Sequence, residues 1–175
     1  MQKSEVRKMA RARVKALTEC NRADKSSALC RDIVSFVERC KAHTVALFAS
    51  LPDEAQTDEA IAALSTCCRI VLPRIEGDEM AFYDYGEGLQ RGSYNIMEPV
   101  AATPINPAEI ELMFLPGVAF TREGARLGRG KGYYDRYLAH PDFRATTVGV
   151  CYVEQLVDTL PLEPHDRPCD AVLAR

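Results

Sequence analysis

Arg126, Arg129 and Lys131 alternate with Gly128, Gly130 and Gly132 in the run Arg126-Leu127-Gly128-Arg129-Gly130-Lys131-Gly132-Tyr133-Tyr134-Asp135. Glycines at every second position strip the backbone of side-chain bulk, so its N–H groups can turn onto an anion. The three cations add fixed charge of the kind that suits phosphate. An apolar run, Leu112 to Leu115, precedes the segment and reads as a buried strand. A helix-like stretch, Tyr134 to Leu138, follows it, and a helix N-terminus behind the loop adds positive potential. Asp135 is the carboxylate at the loop's end and could hold a divalent cation. The spacing is neither GxxxxGK[ST] nor GxGxxG. A solvated turn is the bland alternative, against which the doublet Tyr133-Tyr134 beside the glycines suggests a shaped surface.

Other residues could join this chemistry. Lys3 and Arg7 are four apart and share a helix face, which by itself reads as a solvated charge pair. Glu54 follows the β-rich run Thr44 to Ala49, where a strand ends and its loop begins. It could accept hydrogen bonds from a donor-rich ring edge, although a lone Glu is more often a surface carboxylate. Tyr94 could stack on a flat ring or pin a loop to the core. Asp166, in the Pro-rich loop Pro161 to Pro168, reads as a turn residue when taken alone, with Asp170 as its near competitor. His43, His140 and His165 show no metal-ligand spacing.

The run LPGVAF together with RLGRGKGYYDRYL resembles the signature of the 5-formyltetrahydrofolate cyclo-ligase family (methenyltetrahydrofolate synthetases), without a gap from Pro116 to Asp135. The resemblance implies a single domain over residues 1–175, of the three-layer Rossmann-like kind shared with sugar-phosphate isomerases and CoA transferases. It implies ATP and Mg²⁺ as cofactors and 5-formyltetrahydrofolate, free or polyglutamylated, as substrate. It places nucleotide against Lys3, Ser4, Glu5, Val6 and Arg7, and along the loop from Arg126 and Leu127 through Gly128, Arg129, Gly130, Lys131 and Gly132 to Tyr133 and Tyr134. Folate is placed against Ala49, Glu54 and the segment Arg129 to Tyr133, with Pro52, Glu54 and Thr57 matching a family pattern; Ala49 is smaller than the residue usual there. A stretch like Leu89–Pro99, with its Glu-Pro, packs over the substrate in relatives. Asp135 and Asp166 are implied as the metal ligands. The expected reaction is phosphorylation of the formyl oxygen, attack by N10 and loss of phosphate, with Arg126, Arg129 and Lys131 neutralising charge. A sugar-phosphate isomerase, or a binding module without turnover, stays open as an alternative.

The elements that must position these residues follow from periodicity. Lys3 to Leu17 and Asp24 to Cys40 carry apolar residues at helical intervals: Val6, Ala10, Val14 in the first, Leu29, Ile33, Val37, Cys40 in the second. Strands are expected at Thr44–Ala49, Arg69–Pro73, Met80–Tyr83, Leu112–Leu115, Thr146–Cys151 and Asp170–Leu173. A helix is expected at Asp58–Cys67, capped by Thr57, a loop over Leu89–Pro99 and a helical turn at Glu154–Val157. That order is α/β, with a mixed, mostly parallel sheet flanked by helices.

With 175 residues, 47% hydrophobic and 27% charged, the chain has the balance of one globular domain. A net charge of −3 gives no general attraction to nucleic acid. Seven cysteines with no CxxC read as reduced, cytoplasmic usage rather than a disulfide framework or zinc site. No apolar run is long enough for a bilayer, so no membrane partner is expected, and a monomer is.

Overall fold

The computed structural model describes residues 2–92 and 95–175. Five of its six main strands are parallel: β1 (Thr44–Ala46), β2 (Arg69–Glu76), β6 (Leu112–Leu115), β9 (Thr146–Cys151) and β10 (Ala171–Ala174). The sixth, β3 (Glu79–Asp84), runs antiparallel to β2 through the turn Gly77-Asp78, where Gly77 takes φ +64°. The strand order is β10-β9-β6-β1-β2-β3. Val45 lies between Ile70 and Leu112, so β1 is central. Its ladder continues past Ala46 through Leu47 N–H to Val71 O at 3.1 Å, which is why the apolar run extends beyond the strand.

Both faces of the sheet are covered, so the strands are apolar throughout rather than alternating. Val45, Leu47, Ile70, Leu72, Leu112, Phe114, Val148 and Val150 face α2 (Glu19–Cys40) and α3 (Asp58–Leu64). Ala46, Val71, Met113, Leu115 and Cys151 pack with Phe82, Phe120 and Tyr137, the last from α4 (Tyr133–Leu138). Helix α1 (Lys3–Lys15) buries Val6 and Ala10 in a smaller cluster with Val118, Ala119 and Leu127. That cluster rests on a hairpin of two-residue strands, β7 (Ala119–Phe120) and β8 (Arg126–Leu127).

Several expectations are corrected. Helix α2 starts at Glu19, not Asp24, because the Thr18 hydroxyl accepts Asn21 N–H at 3.1 Å and caps it earlier. Cys40 at its end is exposed. Thr57 stands at the N-cap of α3 but does not cap it; its hydroxyl donates to Phe48 O at 2.6 Å and ties the loop to the end of β1. Residues 89–99 are not all loop: β4 (Leu89–Arg91) and β5 (Met97–Pro99) form an antiparallel ribbon. Tyr94 lies outside the described residues.

Candidate active site

A cleft of about 620 Å³ opens beyond the C-terminal ends of β1 and β6, where ligands collect in parallel α/β sheets. Its lining falls into two groups. One is largely apolar and includes Phe48, Ala49, Leu51, Pro73, Ile75, Met80 and Ile96. The other carries most of the acidic and basic side chains: Lys3, Arg7, Arg126, Arg129, Lys131, Asp135, Glu163 and Asp166, with His165 beside them. Glu54 and Glu98 stand among the apolar group.

The glycine loop is shaped from three sides. Arg7 Nε donates to Gly128 O at 2.8 Å, so α1 holds one end. Arg136 donates to Lys131 O at 2.9 Å and to Asp78 O at 2.7 Å, which braces the other end on the β2–β3 turn. Gly130 and Gly132 take φ +102° and +71°, in the left-handed region that glycine enters without a Cβ penalty. A Cβ at Gly132 would also come within 2.7 Å of the Arg136 guanidinium. Behind the loop, Arg126 is almost fully buried on β8 and pairs with Asp135 Oδ1 at 2.8 Å. Its Nε finds no acceptor among the described residues.

Arg129 crosses from the loop to the apolar group. Its Nε donates to Glu54 Oε1 at 3.0 Å, and it also pairs with Asp53. Leu51 N–H occupies Glu54 Oε2 at 2.9 Å. Burial pushes the Glu54 carboxyl above the usual range, and the Leu51 amide and Arg129 offset this only in part. Tyr134, stacked edge-on against Phe82 at 6.5 Å, is also pushed up, first by burial and then by Glu54, and stays a neutral phenol.

At the opposite rim, Lys3 Nζ sits between Glu163 at 2.5 Å and Asp166 at 2.7 Å. Burial acts to raise the Asp166 carboxyl, but Lys3 and the Glu163 amide outweigh it and hold it below the usual range. Arg167 N–H reaches Asp135 Oδ1 at 3.3 Å, so the Asp166 loop and the Asp135 helix share one corner. Carboxylate oxygens on a polar rim are the hard donors that Mg²⁺ prefers, and Asp135 and Asp166 fit it on that ground. Glu163, His165 and Asp166 also bring one donor each within 4.8 Å of one another. Asp170 is held elsewhere, by Thr147 N–H at 2.7 Å.

The sequence profile of the 5-formyltetrahydrofolate cyclo-ligase family matches residues 1–175. This chain belongs to that family. A 5-formyltetrahydrofolate cyclo-ligase of Escherichia coli is 30% identical over 94% of this chain and 96% of its own length. The 5,10-methenyltetrahydrofolate synthetase of Aquifex aeolicus, solved by NMR, superposes with a TM-score of 0.87 at 34% identity, covering 99% of this chain and 90% of that one. The synthetase of Mycoplasma pneumoniae gives 0.80 at 27% identity, covering 98% of both chains. The chain is thus a cyclo-ligase, an enzyme of folate one-carbon chemistry.

Within this cyclo-ligase, most of the candidate residues meet. Lys3, Arg7, Ala49, Glu54, Asp135, Asp166 and the whole run Arg126 to Tyr134 line the one cleft. Ser4, Glu5 and Val6 do not: Ser4 is exposed, Glu5 Oε2 accepts Gln2 N–H at 2.8 Å at the helix start, and Val6 is buried under α1. The resemblance places the Leu89–Pro99 stretch over the substrate without singling out Glu98. Sequence reasoning takes His165 as structural or exposed, and misses Glu163 in the lining and Arg136 as the loop's brace. The Glu98-Pro99 pair in the Leu89–Pro99 stretch was the available signal for the first. Glu163 and His165 stand two and one residues from Asp166, and gave none of their own. Among the described residues, no helix is long and apolar enough to cross a membrane.

Proposed function

We propose that the cleft converts 5-formyltetrahydrofolate and ATP to 5,10-methenyltetrahydrofolate, ADP and phosphate. The observation that carries this reading is Arg129: one side chain belongs to the cationic glycine loop and bonds the buried Glu54 at 3.0 Å. A nucleotide on the loop and a folate against Glu54 would therefore share a boundary.

The N-formyl oxygen is a poor leaving group, and transfer of the γ-phosphoryl to it makes a good one. N10 then attacks the formyl carbon, phosphate departs with the former formyl oxygen, and the N10 proton is lost to solvent. Little covalent work falls to the protein, which must place the formyl oxygen in line and offset developing charge. Lys131, Arg129 and Arg126 supply that charge, with Lys3 and Arg7 from α1, and the amides of Leu127 to Tyr134 approach the phosphates. Asp135 and Asp166 would hold Mg²⁺, whose charge offsets that of the phosphate oxygens. Ala49, Glu54 and Tyr133 bound the folate, with or without further glutamates. One chain supplies every residue named, which supports a monomer, and seven free thiols suit a reducing, cytoplasmic setting.

The test follows methenyl-folate absorbance with 5-formyltetrahydrofolate and Mg²⁺, with ATP present or absent. Absorbance should rise only with ATP and in step with ADP. Folate binding without ADP release would overturn the reading in favour of a binding module.

A further inference from the structure

We propose that Glu98 is a substrate-recognition carboxylate, accepting the donor edge of the pterin ring, its 2-amino group and N3–H. This rests on the folate reading above. Glu98 stands in β5, is only 7% exposed, and lines the cleft. A carboxylate so placed normally has a cation or several amides around it. Among the described residues its one hydrogen bond is from Ile75 N–H, at a marginal 3.5 Å, and no cation pairs with it. Glu54 differs: both of its oxygens are already engaged, by Arg129 and Leu51.

The seat around Glu98 is built. A Cβ at Gly92 would lie 1.9 Å from Glu98 Oε2, so the missing side chain at 92 is what makes room for the carboxylate. Arg74 donates to Pro99 O at 3.1 Å and Ala101 O at 2.9 Å, which pins this strand to β2. Ile75, Met80 and Ile96 also line the cleft and offer apolar surface for a flat ring. The cationic loop suits phosphate, whereas an acceptor with no cation suits a ligand part bearing adjacent N–H donors. In this substrate that part is the pterin edge, which a carboxylate can take in paired fashion.

Calorimetry on the full chain tests this with three reagents: 5-formyltetrahydrofolate, its 2-desamino analogue, and ATP. Glu98→Gln should raise the folate Kd by about 10- to 100-fold, leave the ATP Kd within about twofold, and leave the melting temperature unchanged or higher. Wild type should bind the desamino analogue more weakly by a similar factor, and Glu98→Gln should scarcely distinguish the two folates. Unchanged folate affinity in the variant overturns the assignment, as does undiminished discrimination by it. If the variant does not fold, equal binding of both folates by the wild type overturns it and unequal binding supports it. Failure of the wild type to bind 5-formyltetrahydrofolate at all would instead overturn the folate reading on which this one rests.

Discussion

Lys131 differs from most cations of the cleft in its partners; Arg7 also lacks a carboxylate among the described residues but is held by Gly128 O. Arg126 is paired with Asp135, Arg129 with Asp53 and Glu54, and Lys3 with Glu163 and Asp166. Lys131 is exposed and has no carboxylate partner among the described residues, so its charge is available to a ligand. Lys131→Ala should lower kcat by about 10²- to 10³-fold, in line with losing one donor to transition-state charge. Stability should move by less than about 0.5 kcal/mol, as for an exposed surface change. Steady-state kinetics with a thermal melt check both, and near-normal kcat would remove the phosphate role. Glu54 is the opposite case, a carboxylate held in place against its own burial. Its folded pKa lies above its unfolded value, so its contribution to stability is fully present below the unfolded pKa and lost as pH rises through the folded one. Glu54→Gln should therefore match or exceed wild-type stability at pH 8, with the advantage shrinking toward pH 4. Folate affinity should fall while ATP affinity holds. Melts at the two pH values and separate titrations of each ligand test this; equal loss of both ligands would contradict the folate role. The loop residues were legible because Arg, Lys and Gly in alternation have few other uses. Glu98 was legible only as part of a stretch that covers the substrate in relatives; its own burial and lack of a cation come from the fold.

Elements were legible in proportion to their length and to the size of the face they bury. β6 and β9 follow from largely apolar runs of four and six residues bounded by turn signals. The β7–β8 hairpin does not, since two residues per strand carry no period and its stability comes from the α1 seat and the β9 neighbour. The β4–β5 ribbon fails for the same reason. These short pieces nevertheless set the site: β8 carries Arg126 into the cleft wall, and β5 carries Glu98. The glycine loop depends on backbone signs that the pattern hinted at without fixing. Gly132→Ala forces a Cβ into the left-handed region and against Arg136, a flexible side chain that can shift. The expected loss of stability is about 1 kcal/mol, a few degrees in melting temperature. Because Arg136 braces Lys131 O, the functional loss should be larger, with ATP affinity down about tenfold or more as the loop amides turn away. Nucleotide titration beside a melt separates the two effects; unchanged ATP affinity would show that the loop's turn does not shape the phosphate site.

At the scale of the molecule, the sheet supplies one wall of the cleft and α1 supplies another, whose N-terminal half rests on a small seat while Val14 enters the large cluster beside α2. Val6 and Ala10 pack on Val118, Ala119 and Leu127, apart from the two large clusters that flank the sheet. Through that seat α1 delivers Arg7 to Gly128 O and Lys3 to the Glu163–Asp166 pair, so both contacts proposed for the nucleotide depend on its docking. Ala10 is fully buried there. Ala10→Asp would bury a carboxylate with no cation provided, a penalty of several kcal/mol unless the helix lifts away. Lifting is the cheaper outcome, because α1 gives the core under α2 and α3 only Val14, and the sheet with those two helices keeps the rest. The expected result is a protein whose strand amides stay protected from hydrogen exchange while those of α1 exchange quickly. ATP affinity should fall by about tenfold or more, losing two cations, and folate affinity should change little, because Glu54 and Ala49 sit on the β1 side. Exchange mass spectrometry paired with separate ligand titrations reads all three quantities. Retained ATP affinity with a freely exchanging α1 would place the nucleotide away from Lys3 and Arg7, and leave the helix only a lid on the β7–β8 hairpin.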